Sequence, residues 1–247
     1  MGYMYDTGTS VPQNSDTALI WYKKAAAQEN SNAALAIGYN YDNGIGVKKD
    51  HSAAIQWYSK SANLGNPSAQ FNLGLMYEQG QGTPVDVTKA AQYFEKAAEQ
   101  GHDKAQLELG YLYDSGKLGK SDLSKAAYWY QKSADLGNIN AQFNLGDMYF
   151  YGDGVGKNLE QSVSWIQKSA EQGYSKGQNQ LGVYYRDGIG VTTNPIEAYA
   201  WFSTAVNNGF DKAAVNLNEL EKTMRPDDLI KAKTLGEYYS NKYKEKK

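Results

Sequence analysis

The sequence has no cysteine, and its 247 residues include only two histidines and two arginines, Arg186 and Arg225. Without cysteine, neither a disulfide framework nor a thiolate metal site can form. The scarcity of arginine and the formal net charge of −2 argue against recognition of nucleic acid or of an anionic membrane surface. No apolar run approaches the roughly 18 residues of a membrane-spanning helix. Polyanionic partners are therefore disfavoured.

Motifs for catalysis and for ligand binding are also missing. The glycine turns, such as residues 152–156, follow a predicted helix and lack the Gly-Lys-Ser/Thr ending of a phosphate-binding loop. Residues 42–44 read Asp-Asn-Gly, as in a calcium loop, but no acidic twelfth ligand follows. His51 and His102 do not cluster, and we interpret both as surface residues. We predict a protein that is not an enzyme, with no catalytic residue, no cofactor and no metal site.

What the sequence does contain is a pattern that recurs every 36 residues without insertion or deletion. One column consists of Gly2, Gly38, Gly74, Gly110, Gly146 and Gly182. Another consists of Tyr5, Tyr41, Tyr77, Tyr113, Tyr149 and Tyr185. Turn glycines recur at Gly8, Gly44, Gly80, Gly116, Gly152 and Gly188, and large aromatic residues at Trp21, Trp57, Tyr93, Trp129, Trp165 and Trp201. A fixed period of this length indicates stacked structural repeats.

Each repeat predicts two helices joined by a glycine turn. Ala69, Leu73 and Tyr77 fall on one helical face, and Gly74 lets a neighbouring helix approach that face closely. The second helix begins after a residue that favours the N-cap position, namely Asn14, Asp50, Asp86, Asp122, Asn158 or Asn194. We predict an all-α fold: an α/α superhelical solenoid of 36-residue helix-turn-helix repeats, similar to tetratricopeptide repeats.

The repeats define a single repeat domain with atypical ends. Residues 1–32 hold a truncated first repeat, residues 33–212 hold five full repeats, and residues 213–247 form C-terminal capping helices that end in the lysine-rich tail Lys242–Lys247. Because the chain starts inside a repeat, we expect a longer native N-terminus. The protein would be periplasmic or secreted if a signal peptide belonged to that segment, and cytoplasmic otherwise.

These columns closely resemble the Sel-one-like repeat (SLR) family, a relative of the tetratricopeptide repeats. The family pattern Ala-x-x-x-Leu-Gly-x-x-Tyr-x-x-Gly-x-Gly-Val is matched by Ala69, Leu73, Gly74, Tyr77, Gly80 and Gly82, and by Ile37, Gly38, Tyr41, Gly44, Gly46, Val47, Asp50, Trp57 and Tyr58. The resemblance covers about residues 1–215 and implies that the first helices line a concave face. It also implies a role as an adaptor in protein–protein assemblies, since SLR proteins are generally adaptors.

Two departures from the family pattern predict local irregularity. Gly177 replaces the leading alanine of one repeat, and Lys117-Leu118-Gly119 replaces the second turn glycine of another.

Helical spacing selects the residues of a binding face, because the third, seventh and tenth positions of each first helix lie opposite the core stripe. The predicted partner-binding residues are Tyr3, Tyr39, Asp42, Phe71, Leu75, Glu78, Leu107, Tyr111, Asp114, Phe143, Asp147 and Phe150. The tenth positions would form an unpaired acidic rail of Asp6, Asp42, Glu78 and Asp114, ending at Phe150 and Arg186. Alternatively, Phe71 and Phe143 pack between adjacent first helices, and the rail is an ordinary solvated face. We expect Tyr39, Tyr111 and the rail to be exposed.

We predict a bacterial, non-catalytic protein–protein interaction scaffold or adaptor. Its concave face would bind a partner protein or peptide with basic and apolar anchor residues. The alternative is a dedicated inhibitor, such as an immunity protein that blocks one cognate toxin or effector. An enzyme such as a cell-wall hydrolase is a third hypothesis, and it lacks any candidate nucleophile. The sequence predicts neither the partner nor the oligomeric state.

Overall fold

The computed structural model describes residues 1–244, which form fourteen α-helices and no β-strand. The helices are α1 (Gly2–Thr7), α2 (Ser15–Ala26), α3 (Ser31–Asn43), α4 (His51–Asn63), α5 (Pro67–Gln79), α6 (Val87–Glu99), α7 (Asp103–Asp114), α8 (Leu123–Asp135), α9 (Ile139–Tyr151), α10 (Leu159–Glu171), α11 (Ser175–Asp187), α12 (Pro195–Asn207), α13 (Ala213–Thr223) and α14 (Pro226–Lys242). The predicted all-α fold is confirmed. Of the predicted tail Lys242–Lys247, residues 245–247 lie outside the described residues. None of the helices in residues 1–244 has the length and apolar character needed to cross a membrane.

The helices belong to two compact units, an N-terminal unit Met1–Ser121 with α1–α7 and a C-terminal unit Asp122–Lys247 with α8–α14. Within each unit, a first helix packs against the second helix of its own repeat and against the second helix of the repeat before it. That arrangement is the α/α solenoid predicted from the repeat period. The predicted division into residues 1–32, 33–212 and 213–247 stays a prediction.

Side-chain caps begin the helices of both kinds. Asp50 Oδ1 accepts a hydrogen bond from the Ala53 amide at 3.0 Å, and the equivalent bond forms at all six predicted second-helix caps. The first helices are capped as well, a feature that the sequence analysis missed. Their cap side chains belong to Asn30, Asn66, His102 and Asn138. Tyr174 occupies the same column before α11 and makes no side-chain cap bond.

His102 corrects one sequence-based interpretation, because it is not a simple surface residue. Its Nδ1 accepts a hydrogen bond from the Ala105 amide at 3.2 Å, and its ring stacks on Phe71 with the centroids 4.8 Å apart. Accepting that bond requires an unprotonated Nδ1. Burial lowers the pKa of His102, which favours the same neutral form.

The two family departures have different outcomes. Helix α7 ends at Asp114, and Gly116, with φ of +69°, follows only after Ser115, so the turn that contains Lys117 is irregular as predicted. In contrast, the helix that contains Gly177 is a regular helix of 13 residues. The irregularity predicted at Gly177 is therefore wrong, because glycine there is tolerated without any break in the helix.

Glycines inside the first helices pack against large side chains of the second helices, which are aromatic except for Ile166 opposite Gly146. A Cβ atom added to Gly38 would lie 2.5 Å from Cδ1 of Tyr58, and one added to Gly182 would lie 2.6 Å from Cδ1 of Phe202. The same contact joins Gly74 to Phe94. Phe94 and Phe202 are fully buried, and Tyr58 is nearly so. The predicted close approach is thus confirmed, and its partner is the aromatic ring next to the Trp column.

Side-chain amides connect successive repeats. Gln100 Nε2 donates to Gln70 Oε1 at 2.8 Å in the N-terminal unit. In the C-terminal unit, Gln172 Nε2 donates to Gln142 Oε1 at 2.8 Å. Asn208 Nδ2 donates to Gln178 Oε1 at 2.9 Å. We call these bonds the amide ladder; each joins residues that are 30 apart in the sequence, so the ladder depends on the repeat period.

The last helix, α14, packs against α12. The Tyr239 ring lies 4.6 Å from the Trp201 ring between centroids, and the Tyr239 hydroxyl donates to Glu197 Oε2 at 3.1 Å. Gly236 allows this packing, because a Cβ there would lie only 3.2 Å from Ser203 Cβ. A polar outer helix over an apolar contact is how the end of a repeat stack is closed.

Candidate partner-binding face

The candidate site in each unit is the surface that carries the third, seventh and tenth positions of its first helices, which we call the first-helix face of that unit. In the N-terminal unit its seventh positions are Tyr3, Tyr39, Leu75 and Tyr111. The tyrosine side chains are 68%, 52% and 38% exposed, whereas Leu75 is half-buried. The expected exposure of Tyr39 and Tyr111 is found. Their role in binding stays a prediction.

The third positions of the N-terminal unit are turned inward. Phe71 is half-buried, and its ring lies against Phe94 and His102, with centroid distances of 5.8 and 4.8 Å. Leu107 is only 6% exposed and belongs to the core. Leu107 is therefore not a surface contact residue, and Phe71 follows the alternative of packing between neighbouring elements. Both side chains are turned inward because burying an apolar side chain is more favourable than leaving it exposed on the face.

The acidic rail was expected to be unpaired, and the structure contradicts that expectation, most directly at three of its members. The Tyr22 hydroxyl donates to Asp6 Oδ2 at 3.1 Å. Asp42 Oδ1 lies 2.9 Å from His51 Nδ1, and the Tyr58 hydroxyl donates to Asp42 Oδ2 at 3.4 Å. Burial, reinforced by the adjacent carboxylate, raises the pKa of both tyrosines, so each hydroxyl keeps its proton and donates it. These acids serve the repeat itself.

Glu78, the third contradicting member, is held by the irregular turn after α7. Lys117 Nζ donates to Glu78 Oε1 at 2.8 Å. Burial, followed by the charge of Glu78, raises the pKa of Glu108 nearby, while Lys117 opposes that change. The departure from the family pattern at Lys117 thus supplies the cation for this acidic pair. Asp114, the last acid of the rail, is exposed and also has an interaction within the chain.

In the C-terminal unit, the first-helix face is aromatic. The rings of Phe143 and Tyr174 meet edge to face with centroids 5.3 Å apart. The ring of Phe150 stacks on Tyr184 at 5.9 Å and contacts Tyr151, which is 67% exposed. Phe143 and Phe150 are half-buried, so each presents part of its ring to solvent. Arg186, where the rail was expected to end, is bonded to Asp187 and Asn216.

Asp147 lies between Phe143 and Phe150 on the same face of α9, since the three residues are spaced by four and three positions. Its side chain is half-buried and has no hydrogen bond or ion pair to any residue that the structure describes. Burial alone raises the pKa of Asp147 to about 6. Asp147 is thus the acid of this face whose charge the described chain does not compensate.

Tyr184 and Ser162 are buried residues of this region that the sequence analysis did not single out as a pair. Tyr184 stands in a column otherwise occupied by methionine, leucine or asparagine, and Ser162 stands in a column of alanines. Their hydroxyl oxygens are 2.8 Å apart, so the serine satisfies the hydroxyl of the buried tyrosine. The signal available in the sequence was the joint departure of two columns in neighbouring helices.

The raised pKa of Asp147 predicts a pH-dependent penalty on folding. The folded pKa of about 6 lies above the ordinary value of 3.8 for an unfolded aspartate, so the folded chain binds the proton more tightly. The free energy of unfolding should therefore fall as the pH rises from about 4 to about 6. Asp147→Asn should remove the penalty and stabilise the protein by about 1–2 kcal/mol at pH 7, after allowance for partial solvent screening.

Urea denaturation of wild type and Asp147→Asn at pH 4, 5, 6 and 7 measures this effect. Asp153→Asn, which changes the same charge at an exposed turn residue, is the matched control. A stability difference between wild type and Asp147→Asn that does not change with pH would contradict the prediction.

The side chains of the first-helix face are mainly aromatic and acidic. The described residues include no group of three or more His, Cys, Asp or Glu side chains that could hold a metal ion. What they do present is exposed tyrosine, half-buried phenylalanine and one uncompensated carboxylate. Large aromatic side chains of this kind supply contact area at low conformational cost in protein interfaces.

The repeats match a known family of repeat proteins and solved structures of that family. A family model described as the Sel1 repeat matches residues 1–30, 31–66, 67–102, 103–138, 139–174 and 175–210. A solved Sel1 repeat protein from Oxalobacter formigenes is 30% identical, with 99% of this chain and 95% of that chain covered and a TM-score of 0.78. No curated protein matches the chain.

Two further solved structures are similar. A protective antigen of uropathogenic Escherichia coli with an SLR fold is 34% identical, with 98% of this chain covered and a TM-score of 0.61. This chain spans 60% of the length of that antigen. An immunity protein from Pseudomonas aeruginosa is 22% identical, with 86% of this chain and 80% of that chain covered and a TM-score of 0.46. The last similarity is too low to bear on function.

Proposed function

Because the chain belongs to the Sel1 repeat family, whose members generally act as non-catalytic protein-interaction scaffolds, we propose that it binds a partner protein on its first-helix face. The observation that supports this proposal most directly is the tyrosine series Tyr3, Tyr39 and Tyr111. Three side chains at one repeat position are exposed in the same unit, although the repeat core does not need them. Tyrosine is enriched at binding hot spots because its ring is apolar and its hydroxyl can form hydrogen bonds.

The proposal changes the set of contact residues expected from the sequence. In the N-terminal unit, contact falls to Tyr3, Tyr39 and Tyr111, with Leu75 and Asp114 beside them. Phe71 and Leu107 support the face from within, while Asp42 and Glu78 are engaged by their own repeats. In the C-terminal unit, the contact residues of its own first-helix face would be Phe143, Asp147 and Phe150. We propose that the protein acts by binding and that none of these residues performs catalysis.

Paired variants test where the partner binds. The variant Tyr39→Ala/Tyr111→Ala removes two tyrosines of the face. The matched control Tyr128→Ala/Tyr238→Ala removes two tyrosines that are 55% and 54% exposed on other helices. Circular dichroism first shows that each purified variant has wild-type helicity. Each protein is then immobilised and used to capture partners from lysate and secreted fractions of the source organism. We expect the control to retain the wild-type partner and the first variant to lose it by at least tenfold, as for a hot-spot pair.

Equal retention by both variants would contradict binding through the tyrosine series. The number of captured partners and their activity in the complex separate the two kinds of binding protein. Several different partners that compete for the same face would fit a scaffold. A single partner whose activity disappears in the complex would instead identify a dedicated inhibitor.

A further inference from the structure

The C-terminal unit contains a carboxylate in an aromatic setting that has no counterpart in the other repeats. Within the six repeats of residues 1–210, the seventh position of the other first helices is Tyr3, Tyr39, Leu75, Tyr111 or Val183, and only α9 carries an acid there, Asp147. Phe143 precedes it by one turn and Phe150 follows it by one turn. Tyr174, at the start of α11, contacts Phe143 edge to face at 5.3 Å. We call Phe143, Asp147, Phe150 and Tyr174 the α9 acid site.

Comparison with the other repeats shows why this acid is uncompensated. In the first two repeats the acid is at the tenth position, where Asp6 and Asp42 accept hydrogen bonds from Tyr22 and Tyr58. In the repeat of α9, the tenth position is Phe150, and the residue that corresponds to Tyr58 is Ile166. The acid of this repeat thus lies one turn closer to the helix start than Asp6 and Asp42 do. No tyrosine hydroxyl is available at the position equivalent to Tyr58 to donate a hydrogen bond to it. Asp147 is therefore not part of the repeat's internal hydrogen bonding.

The groups that face Asp147 leave its charge without a partner. On α9, Tyr151 follows Asp147 by four residues and so occupies a neighbouring position on the helix surface. From α11 the neighbours are Tyr174 and Tyr184, and the charge of Asp147 contributes to the raised pKa of both tyrosines. The Tyr184 hydroxyl is already bonded to Ser162. Lys157 Nζ lies 5.6 Å from the centroid of the Phe150 ring and makes no ion pair with Asp147.

A half-buried carboxylate without a partner is costly, and a cation that binds there removes the cost. Aromatic rings next to the carboxylate would add cation–π attraction on the same side. We infer that the α9 acid site binds a lysine or arginine side chain from the partner protein's docking segment. This inference rests on the proposed function, because it names the chemistry that one part of the partner presents to the first-helix face. The neighbouring phenylalanine rings would contact apolar residues on either side of the basic one.

The test is a titration of the ¹⁵N-labelled full chain followed by heteronuclear NMR. The probes are three peptides, acetyl-Leu-Lys-Leu-amide, acetyl-Leu-Arg-Leu-amide and acetyl-Leu-norleucine-Leu-amide, the last being uncharged and of similar shape. We expect the lysine and arginine peptides to shift amide signals of α9 and of the start of α11 and the norleucine peptide to shift them far less. Because Asp147 is about one-tenth ionised one pH unit below its pKa, binding should weaken roughly tenfold between pH 7.5 and pH 5.

Two variants separate the acid site from general charge attraction. Asp147→Asn should abolish the difference between the lysine and norleucine peptides, whereas Asp153→Asn should preserve it. Equal binding by Asp147→Asn and wild type would overturn the inference, as would shifts confined to other helices. Binding of tetramethylammonium with the same affinity as the lysine peptide would overturn it in favour of a small-cation site. Because the titration needs no captured partner, its failure is distinguishable from failure of the proposed function.

Discussion

Phe94→Ala is expected to lower the free energy of unfolding of the N-terminal unit by about 3–5 kcal/mol. Phe94 is fully buried, packs against the bare backbone of Gly74 and lies 5.8 Å from the Phe71 ring between centroids. Truncation removes this contact area and leaves a cavity that helices held by neighbours on both sides cannot fully close. Phe71 and the stacked His102 would lose their support at the same time.

Hydrogen exchange measured by mass spectrometry is the appropriate readout, because repeat arrays do not always unfold in a single two-state step. Peptides from α5 and α6 should exchange faster in Phe94→Ala, while peptides from the C-terminal unit report whether the effect is local. Gln92→Ala, an exposed substitution on the same helix, is the control and should change little. Unchanged exchange in α5 and α6 would contradict the prediction that the Phe94 side chain stabilises these two helices.

Gly74→Ala is expected to destabilise the same unit by about 1–3 kcal/mol, even though alanine is the better helix former. The added methyl group would overlap the Phe94 ring, since no space exists between that ring and the α5 backbone. The separation of α5 and α6 would have to increase, or the buried ring would have to leave its rotamer. The gain in helix propensity of roughly 1 kcal/mol offsets only part of this cost.

A second substitution tests whether the overlap is the cause. Phe94→Leu shortens the side chain that meets Gly74, so the pair Gly74→Ala/Phe94→Leu should lose less stability than the two single changes added together. Gly156→Ala serves as the control, because a Cβ at Gly156 would have no heavy atom within 4 Å. Additive effects in the double variant would show that the methyl group and the ring do not compete for space.

The parts of the structure that the sequence predicted are those that recur in every repeat. The caps at Asp50 and its equivalents, the turn glycines and the close contact at Gly74 each depend on residues whose role is repeated along the chain. When the same residue type recurs at one position of each repeat, every repeat supports the same inference about its role. That role can be inferred without knowing which side chain of a neighbouring helix contacts the residue.

The features that the sequence did not reveal depend on one particular neighbour. Whether Asp42 is free or engaged depends on the reach of His51 and Tyr58, and whether Glu78 is paired depends on an irregular turn that begins after Asp114. Leu107 and Phe71 share a repeat position yet differ in exposure. Helical spacing assigns a side of the helix, but the tertiary neighbours decide how much of that side is covered.

The amide ladder has a consequence for how such a chain can change in length. Each rung links a residue to the one 30 positions away, and the pattern itself recurs after 36 residues. A whole period is not sufficient for a rung, because Leu136 stands 30 residues after Gln106 and Gln106 Oε1 is buried without a hydrogen-bond partner. Duplication of a repeat would therefore extend the ladder only where the next repeat supplies a glutamine or asparagine at the matching position. An apolar residue there leaves a buried amide oxygen unpaired, at about 1–3 kcal/mol for each.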